Sequence, residues 1–126
     1  MLSQLRQRAR EVLSSTHQVV ISTDGPAEIQ ADSLRCEALG LSLYVLVPRA
    51  SDLLFNLENT SLVVATADTW QARGSAHVLP RAKYPQQLVL YQMPEAAWSE
   101  LAEIRLTRLQ LRRLDGQGAV ETLDIL

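Results

Sequence analysis

The chain has 126 residues, with 12 basic and 14 acidic side chains and a net charge of -2. This length is typical of one domain, and the balanced charge argues against a nucleic-acid partner, because such domains usually carry a basic excess. The single cysteine, Cys36, rules out an internal disulfide and favours a reducing compartment. No apolar run approaches the roughly 20 residues that span a bilayer. We therefore expect one cytoplasmic domain over residues 1–126, without a membrane partner.

The first predicted elements are a helix and a hairpin. Apolar residues recur at helical spacing in residues 1–14, which predicts an amphipathic helix that packs on a sheet. The β-branched run Gln18 to Thr23 predicts a strand, and Asp24-Gly25 predicts the hairpin turn that follows. A return strand is predicted over residues 27–36. Its alternation shifts near Asp32-Ser33, which predicts a bulge there.

The middle of the chain predicts three more strands around a short helix. After a turn at 38–40, the apolar run Leu41 to Val47 predicts a central strand that Pro48 ends. Ser51 or Asp52 is predicted to cap the short helix. The next two strands are predicted over residues 61–67 and 69–79, the second bent at Gly74.

The last third of the chain predicts two helices and a pair of strands. The helices are expected at residues 85–91 and from residue 94 to residue 101, and a long strand at 104–114. A turn at 115–118 is predicted to lead into a final strand at 120–125. About six strands at hairpin spacing, with few helices, predict a mainly β fold: an antiparallel six-stranded barrel over residues 18–126.

The order of several motifs resembles the FMN-binding split barrel of the pyridoxamine 5'-phosphate oxidase-like superfamily. The most similar stretch is LYVLVPRASDLLFNLENTSLVVAT, from Leu43 to Thr66. It has a strand ending in a polar turn with Arg and Ser, a helix with Asn-Leu near its end, and a strand beginning Ser-Leu-Val. The segment WQARGSA, residues 70–76, is similar to the next strand of that family. The resemblance implies a Greek-key-like split β-barrel that works as a homodimer, with the cofactor at the subunit interface.

The resemblance also implies which residues bind FMN. Arg49 and Ser51, just before the short helix, match the family's phosphate-binding turn. A guanidinium matches phosphate geometry, and a helix N-terminus adds free N–H groups. Ser33, Arg35 and Gln71 match positions beside the flavin ring. The side chain of Trp70 is the candidate for stacking on that ring, or for entering the site from the facing subunit.

One departure from the family pattern lies on the first turn of the short helix. Many members carry Lys or His there, aimed at the phosphate, whereas this chain has Asp52 and Leu53. An acid beside a phosphate is unfavourable, although it is normal at a helix start.

Each candidate residue also has a simpler interpretation. In the order of the chain, these are an ion pair of Arg35 with Glu37, a solvated Arg49, an N-cap at Ser51, core or interface packing of Trp70, and a solvent-facing Gln71.

No metal site is predicted, because His17 and His77 have no Cys or carboxylate at ligand spacing. Cys36 is expected to be a small buried apolar residue. The densest basic cluster is expected to protect an edge strand from aggregation, rather than to bind nucleic acid: Arg105, Arg108, Arg112 and Arg113.

Three functions stay open at this point. The first is an FMN-binding protein, in which the flavin would perform oxidoreductase chemistry and no catalytic residue is named. The second is a non-enzymatic dimeric module that has lost flavin, which Asp52 and Leu53 favour. The third is haem binding, because residues 93–118 look like the barrel half of the haem-utilisation branch.

Overall fold

The protein is a closed β-barrel with one short and one longer helix, described by a computed structural model over residues 2–60, 62–112 and 120–125. Its main elements in chain order are α1 (Leu2–Ser14), β1 (Gln18–Gly25), β2 (Glu28–Leu39), β3 (Ser42–Pro48), α2 (Asp52–Asn59), β4 (Val63–Thr66), β5 (Trp70–Val78), β6 (Ser99–Arg112) and β7 (Val120–Asp124). Three 3₁₀ turns connect β5 to β6: Arg81–Lys83, Leu90–Gln92 and Pro94–Trp98.

The strands pair antiparallel in the order β3-β2-β1-β4-β5-β6, and an additional β3–β6 pairing closes the ring. The first half of β6 pairs with β3 and its second half pairs with β7, so β7 extends the sheet outside the ring. The predicted mainly β, six-stranded antiparallel barrel is thereby confirmed, as is the pairing of the final strand with the long one.

The barrel interior is filled by the inward-facing residues of alternating strands. In β1, Val19 and Ile21 are buried while Gln18 and Val20 are exposed, which is the period-two pattern of a strand with one core face. Helix α1 adds Ala9 and Leu13 to this core, so its apolar stripe packs on the barrel as its spacing predicts.

Helix α2 is held by side-chain hydrogen bonds to the backbone at its start and near its middle. The Ser51 hydroxyl accepts a hydrogen bond from the Leu54 N–H at 3.1 Å, which is the predicted N-cap. Asn56 is fully buried, and it accepts from the Ala27 N–H at 2.8 Å and donates to the Glu28 carbonyl at 2.7 Å. Asn56 thus ties the helix to the tip of the β1–β2 hairpin.

A cover segment, residues 79–98, lies over the outer face of β3. A second apolar cluster forms beneath it and includes Tyr44 and Leu46 of β3, Leu88 and Leu90 of the segment, and Leu101 of β6. The Glu37 carboxylate holds the segment by accepting from the Val89 and Leu90 N–H groups at 3.0 and 2.9 Å. Because β3 is covered on both faces and paired on both edges, its sequence is apolar throughout.

The predicted irregularity at Gly74 is a register shift between β5 and β6. An added Cβ at Gly74 would lie 2.5 Å from the Arg105 carbonyl oxygen. Glycine is required here because the two backbones approach too closely for any side chain.

Two details of the first hairpin differ from the prediction. The turn is Pro26-Ala27 rather than Asp24-Gly25, because β1 continues to Gly25 and pairs it with Glu28. Pairing between β1 and β2 is continuous past Asp32-Ser33, so the predicted bulge is absent from this described hairpin. The alternation shifts there because residues 28–33 lie beyond the buried part of the sheet and none of them is buried on either face.

The predictions for the last third were less accurate. The helix expected at 85–91 is replaced by a turn and a 3₁₀ turn, and the helix from 94 is a 3₁₀ turn that ends at Trp98, so that Leu101 lies in β6. Strand β6 is not an edge strand, because it pairs with β3, β5 and β7. The predicted turn at 115–118, Arg113 and the end of the long strand lie outside the described residues.

Candidate functional site

Two of the predicted ring-binding residues lie in one row across the outer face of the barrel. Ladder pairing places Ser33 opposite Val20, Val20 opposite Thr66, and Thr66 opposite Gln71. All four side chains are exposed. Ser33 and Gln71 are three strand spacings apart, roughly 14 Å along the sheet at about 4.8 Å per spacing.

A groove of about 600 Å³ runs beside this row, between the end of α1 and the β4–β5 connection. Its walls combine apolar side chains with several hydroxyl, amide and carboxylate groups: Val12, Ser15, Thr16, His17, Gln18, Val19, Val20, Ser33, Thr66, Ala67, Asp68 and Thr69. The loop from Thr66 to Thr69 also borders a smaller depression that contains Gln71. Apolar side chains interspersed with hydrogen-bonding groups suit a flat aromatic ligand with hydrogen-bonding edges.

Trp70 lies in the core rather than on this surface. Its side chain is 3% exposed, and its indole N–H donates to the Thr16 hydroxyl at 3.0 Å. The structure therefore favours the packing interpretation of Trp70 over the flavin-stacking one within a single subunit. A buried Trp that finds a partner for its N–H is the usual arrangement.

Arg49 and Ser51 lie at the rim of the barrel and are bonded within the chain. Arg49 donates from Nε to Glu100 at 3.0 Å and from Nη2 to the Ser99 carbonyl at 3.3 Å. The Ser51 hydroxyl donates to the Pro48 carbonyl at 2.7 Å while it accepts from Leu54. Both predicted phosphate ligands thus have partners already.

These residues do not fit a phosphate group as the subunit stands. The carboxylates of Glu100 and Asp52 lie at the same rim, and negative charge repels a phosphate dianion. Leu53, at the position where the family carries a cation, is 3% exposed and belongs to the core. Arg49 uses two of its five guanidinium N–H groups in these bonds, and the Glu100 carboxylate balances its charge.

Arg35 lies two residues after Ser33 on β2, and its ladder partner is Gln18, which lines the groove. Its guanidinium pairs with Glu95 of the cover segment, not with Glu37 as one simple interpretation proposed. The hydrogen bond from Arg35 holds the pKa of Glu95 below its usual value. Three residues further along the same segment, the Trp98 carbonyl accepts from the Arg49 N–H at 2.9 Å.

The predicted residues therefore flank two different seams of the barrel. Ser33 and Gln71 flank the β1–β4 seam, whereas Arg49 lies at the β3–β6 seam. In the ring order, each seam is the farthest point from the other.

Sequence reasoning missed the residues that decide this arrangement. Val20 and Thr66 complete the outer row, and Glu95 and Glu100 neutralise the predicted cations. The alternation in β1 carries a signal for Val20, since its neighbours Val19 and Ile21 face the core. Nothing local marks Glu95 or Glu100, because each lies about 50 or more residues from its arginine.

Other reactive side chains do not assemble into a site. Among the residues that the structure describes, no three His, Cys, Asp or Glu side chains group as metal ligands would. Cys36 is buried as expected, and burial raises the pKa of its thiol to about 12. Within the same described ranges, no helix is long and apolar enough to cross a bilayer.

Comparison with known proteins gives a match in fold and none in sequence. No protein-family model matches the chain, and no curated protein sequence matches it. Among solved structures, a protein related to general stress protein 26 of B. subtilis (pyridoxinephosphate oxidase family) from Clostridium acetobutylicum superposes with a TM-score of 0.71 at 13% identity, over 97% of this chain and 95% of that one. General stress protein 26 from Bacillus anthracis gives 0.70 at 16% identity, over 97% and 99% of the two chains.

A third similar structure is a heme binding protein from Mycobacterium smegmatis, with a TM-score of 0.70 at 14% identity. The alignment covers 94% of this chain and 57% of that protein. At identities this low, the similarity is one of backbone fold, and the ligand of one protein does not carry over to another. The chain has the split-barrel fold of pyridoxamine 5'-phosphate oxidase-type proteins.

Proposed function

We propose that the chain is one subunit of a homodimeric flavin-binding split barrel, with the flavin ring, as in FMN, lying in the outer groove. The observation that carries the proposal is the row Ser33, Val20, Thr66 and Gln71 beside that groove. It presents the Ser33 hydroxyl at one end and the Gln71 amide at the other, with the apolar Val20 side chain and the Thr66 hydroxyl between them. A flavin ring has carbonyl and N–H groups along one edge and an apolar face, so its chemistry matches this pattern.

A bound flavin would supply hydride or electron transfer, and the protein would supply binding, orientation and electrostatics. We assign no catalytic residue. Flavin binding is the first part of the proposal to test, before a substrate or an electron donor is sought. We also propose that the protein is cytoplasmic, because its single cysteine, Cys36, is a buried free thiol.

Dimerisation is part of the proposal because the family resemblance implies a cofactor site at the subunit interface, and the predicted residues flank two different seams of one subunit. A second copy could bring its Arg49 side against the groove of the first, and so complete a site that neither subunit forms alone. Two apolar side chains on the outer face of the hairpin support an interface here: Val20 is 39% exposed and Ile29 is 76% exposed. Burial of such residues is the usual driving force of association.

The test is titration of the purified protein with FMN and with riboflavin, followed by flavin fluorescence, together with light scattering to measure the mass in solution. We expect a dimer that quenches flavin fluorescence. Thr66→Arg should weaken binding by about tenfold or more, since it places a long charged side chain in the groove.

Thr122→Arg is the matched control, because it makes the same change on the exposed face of β7, two strands beyond Gln71. Its affinity should stay within about twofold of the parent protein. A monomer that binds neither flavin, or equal losses in the two variants, would overturn the proposal.

A second candidate is a dimeric module without flavin. The Arg49–Glu100 pair and the buried Leu53 favour it, because together they leave no cationic phosphate site. Restoring the family's cation with Leu53→Lys is a poor test, because the new charge would enter the core. A dimer that ignores both flavins, while Glu100→Gln gains FMN binding, would favour this candidate.

A further inference from the structure

A second cavity lies on the opposite side of the barrel from the groove. It has a volume of about 530 Å³ and is open to solvent on one side, with the cover segment, the start of β6 and the end of β3 as its walls. Its walls are mostly apolar or aromatic: Leu46, Tyr84, Tyr91, Met93, Pro94, Ala96 and Ala97, with Arg81, Gln86 and Ser99 as the remaining lining residues. This volume falls within the range of about 300–1,000 Å³ typical of small-molecule sites.

The charge that the described residues place in the wall of this cavity is positive. Arg81 is its only charged lining residue among those described, and no carboxylate lines it. Arg81, like Arg6, Arg10 and Arg73, forms no ion pair with a described residue, whereas five arginines pair with acidic side chains: Arg8, Arg35, Arg49, Arg105 and Arg108. The Arg81 guanidinium is therefore available to bind an anion from solution.

The local backbone places a second donor beside Arg81. Residues 81–83 form a 3₁₀ turn, and the Tyr84 N–H donates to the Arg81 carbonyl at 3.2 Å. In a 3₁₀ turn the side chains at positions i and i+3 lie on the same side. The guanidinium of Arg81 and the phenol of Tyr84 therefore project together, and both line the cavity.

Tyr91 and Met93 form an adjoining part of the wall. The rings of Tyr84 and Tyr91 are tilted at 42° with centroids 6.3 Å apart, and the Tyr91 hydroxyl is directed at the Gln86 carbonyl at 3.4 Å. Met93 adds a flexible, polarisable side chain that adapts to an apolar ligand. The apolar wall and the cationic end together define an amphipathic site.

We propose that this cavity binds an amphipathic monocarboxylate, with the carboxylate on Arg81 and Tyr84 and the aromatic or aliphatic body against Tyr91 and Met93. A carboxylate on arginine forms charge-assisted hydrogen bonds, which are stronger than neutral ones. The proposal is independent of flavin binding, because the cavity shares none of its lining residues with the groove.

The test uses 4-phenylbutyrate and its neutral counterpart 4-phenylbutanol as probes, each titrated into the full chain by calorimetry. The acid should bind more tightly than the alcohol by about tenfold or more, the size of one charge-assisted hydrogen bond. Arg81→Met should reduce the affinity for the acid to that for the alcohol. Lys83→Met is the control, because this neighbouring cation does not line the cavity, and it should change neither affinity.

Ala96→Trp should fill the cavity and abolish binding of both probes. Circular dichroism and the melting temperature will show whether this variant folds, and the Arg81→Met comparison decides the question without it. The proposal is overturned if acid and alcohol bind equally to the parent protein, if Arg81→Met binds the acid as the parent does, or if neither probe binds.

Discussion

Arg49 donates a hydrogen bond to Glu100 across 3.0 Å, at the rim where β3 meets β6. The two side chains are 49% and 31% exposed, so this is a surface ion pair and contributes at most about 1 kcal/mol to stability. Its importance lies in the charge that it cancels. With Glu100 in contact, the arginine that the family resemblance assigns to phosphate presents almost no net positive charge.

We therefore predict that the protein distinguishes FMN poorly from riboflavin, and that Glu100→Gln improves the distinction. Freed from its carboxylate, Arg49 should favour the phosphorylated flavin by about five- to tenfold relative to the parent, the range of a single charge contact in partly exposed surroundings. The ratio of the two dissociation constants, measured by fluorescence quenching, is the readout.

Asp124→Asn is the matched control for that variant. It frees Arg108 from an exposed pair of 2.8 Å on the β6–β7 side of the barrel, away from the β3–β6 rim. The ratio should not change in this variant. Equal ratios in all three proteins would count against a role of Arg49 in phosphate binding.

Asn56 is predicted to be a large contributor to stability. Asn56→Ala removes two hydrogen bonds to the hairpin tip and opens a space in a fully buried position, so we expect the free energy of unfolding to fall by about 2–4 kcal/mol. Urea denaturation measures this. Asn59→Ala, in the same helix but exposed, should stay within about 0.5 kcal/mol of the parent.

Gly74→Ala is predicted to destabilise the barrel at the junction of β5 and β6. The new methyl group would lie 2.5 Å from the Arg105 carbonyl and 3.2 Å from Ile104, and backbone cannot move aside as a side chain can. We expect a loss of about 2 kcal/mol or more. Gly40→Asn provides the comparison, because Gly40 has φ of 62° with open space around it, and Asn tolerates that backbone at a cost below about 1 kcal/mol. A Gly74→Ala variant as stable as Gly40→Asn would show that the strands can separate locally.

Cys36 is predicted to make the protein sensitive to alkali. Burial raises the pKa of the thiol from 9.0 to about 12, so the folded state keeps a proton that the unfolded chain loses. Stability is therefore complete below pH 9 and falls as pH rises toward 12, by about 2 kcal/mol at about pH 10.5. Cys36→Ala should remove this part of the slope in urea denaturation.

Tyr44 is predicted to lower the stability over the same pH range, so its effect is tested with a separate variant. Burial, with the hydrogen bond to Glu103, raises its pKa from 10.0 to about 12. Tyr44→Phe should remove the remaining slope above pH 10. A stability that stays flat from pH 8 to 11 in the parent protein would contradict both shifts.

Local chemistry in the sequence was enough to predict most of the barrel. The β-branched and apolar runs of β1 and β3 specify strands by a period of two residues or by complete burial, and Ser51 caps its helix through a neighbour only three residues away. Gly74 marked the close approach of two strands, because glycine inside a strand has few other causes. Each of these patterns depends only on residues that are close together in the chain, so it can be recognised before the fold is known.

The cover segment was harder to predict for the same reason. Residues 85–101 have apolar side chains at spacings that suit a helix, but Leu88 and Leu90 pack onto β3 and the Glu37 carboxylate binds the N–H groups of Val89 and Leu90. Those contacts come from a strand about 50 residues earlier in the chain. Tertiary packing outweighs helix propensity because propensity differences are only about 0.7 kcal/mol or less per ordinary residue.

By itself, the sequence determined the alternation of buried and exposed positions, the helix cap and the close strand crossing, since each follows from the chemistry of neighbouring residues. Only the tertiary structure decided that Ser33 and Gln71 share a face and that Arg49 lies at a different seam, where β3 meets β6. It also decided that Glu95 and Glu100 neutralise two of the arginines. Closure of the sheet sets these relationships, because it brings together charges that the chain separates by 50 to 60 residues.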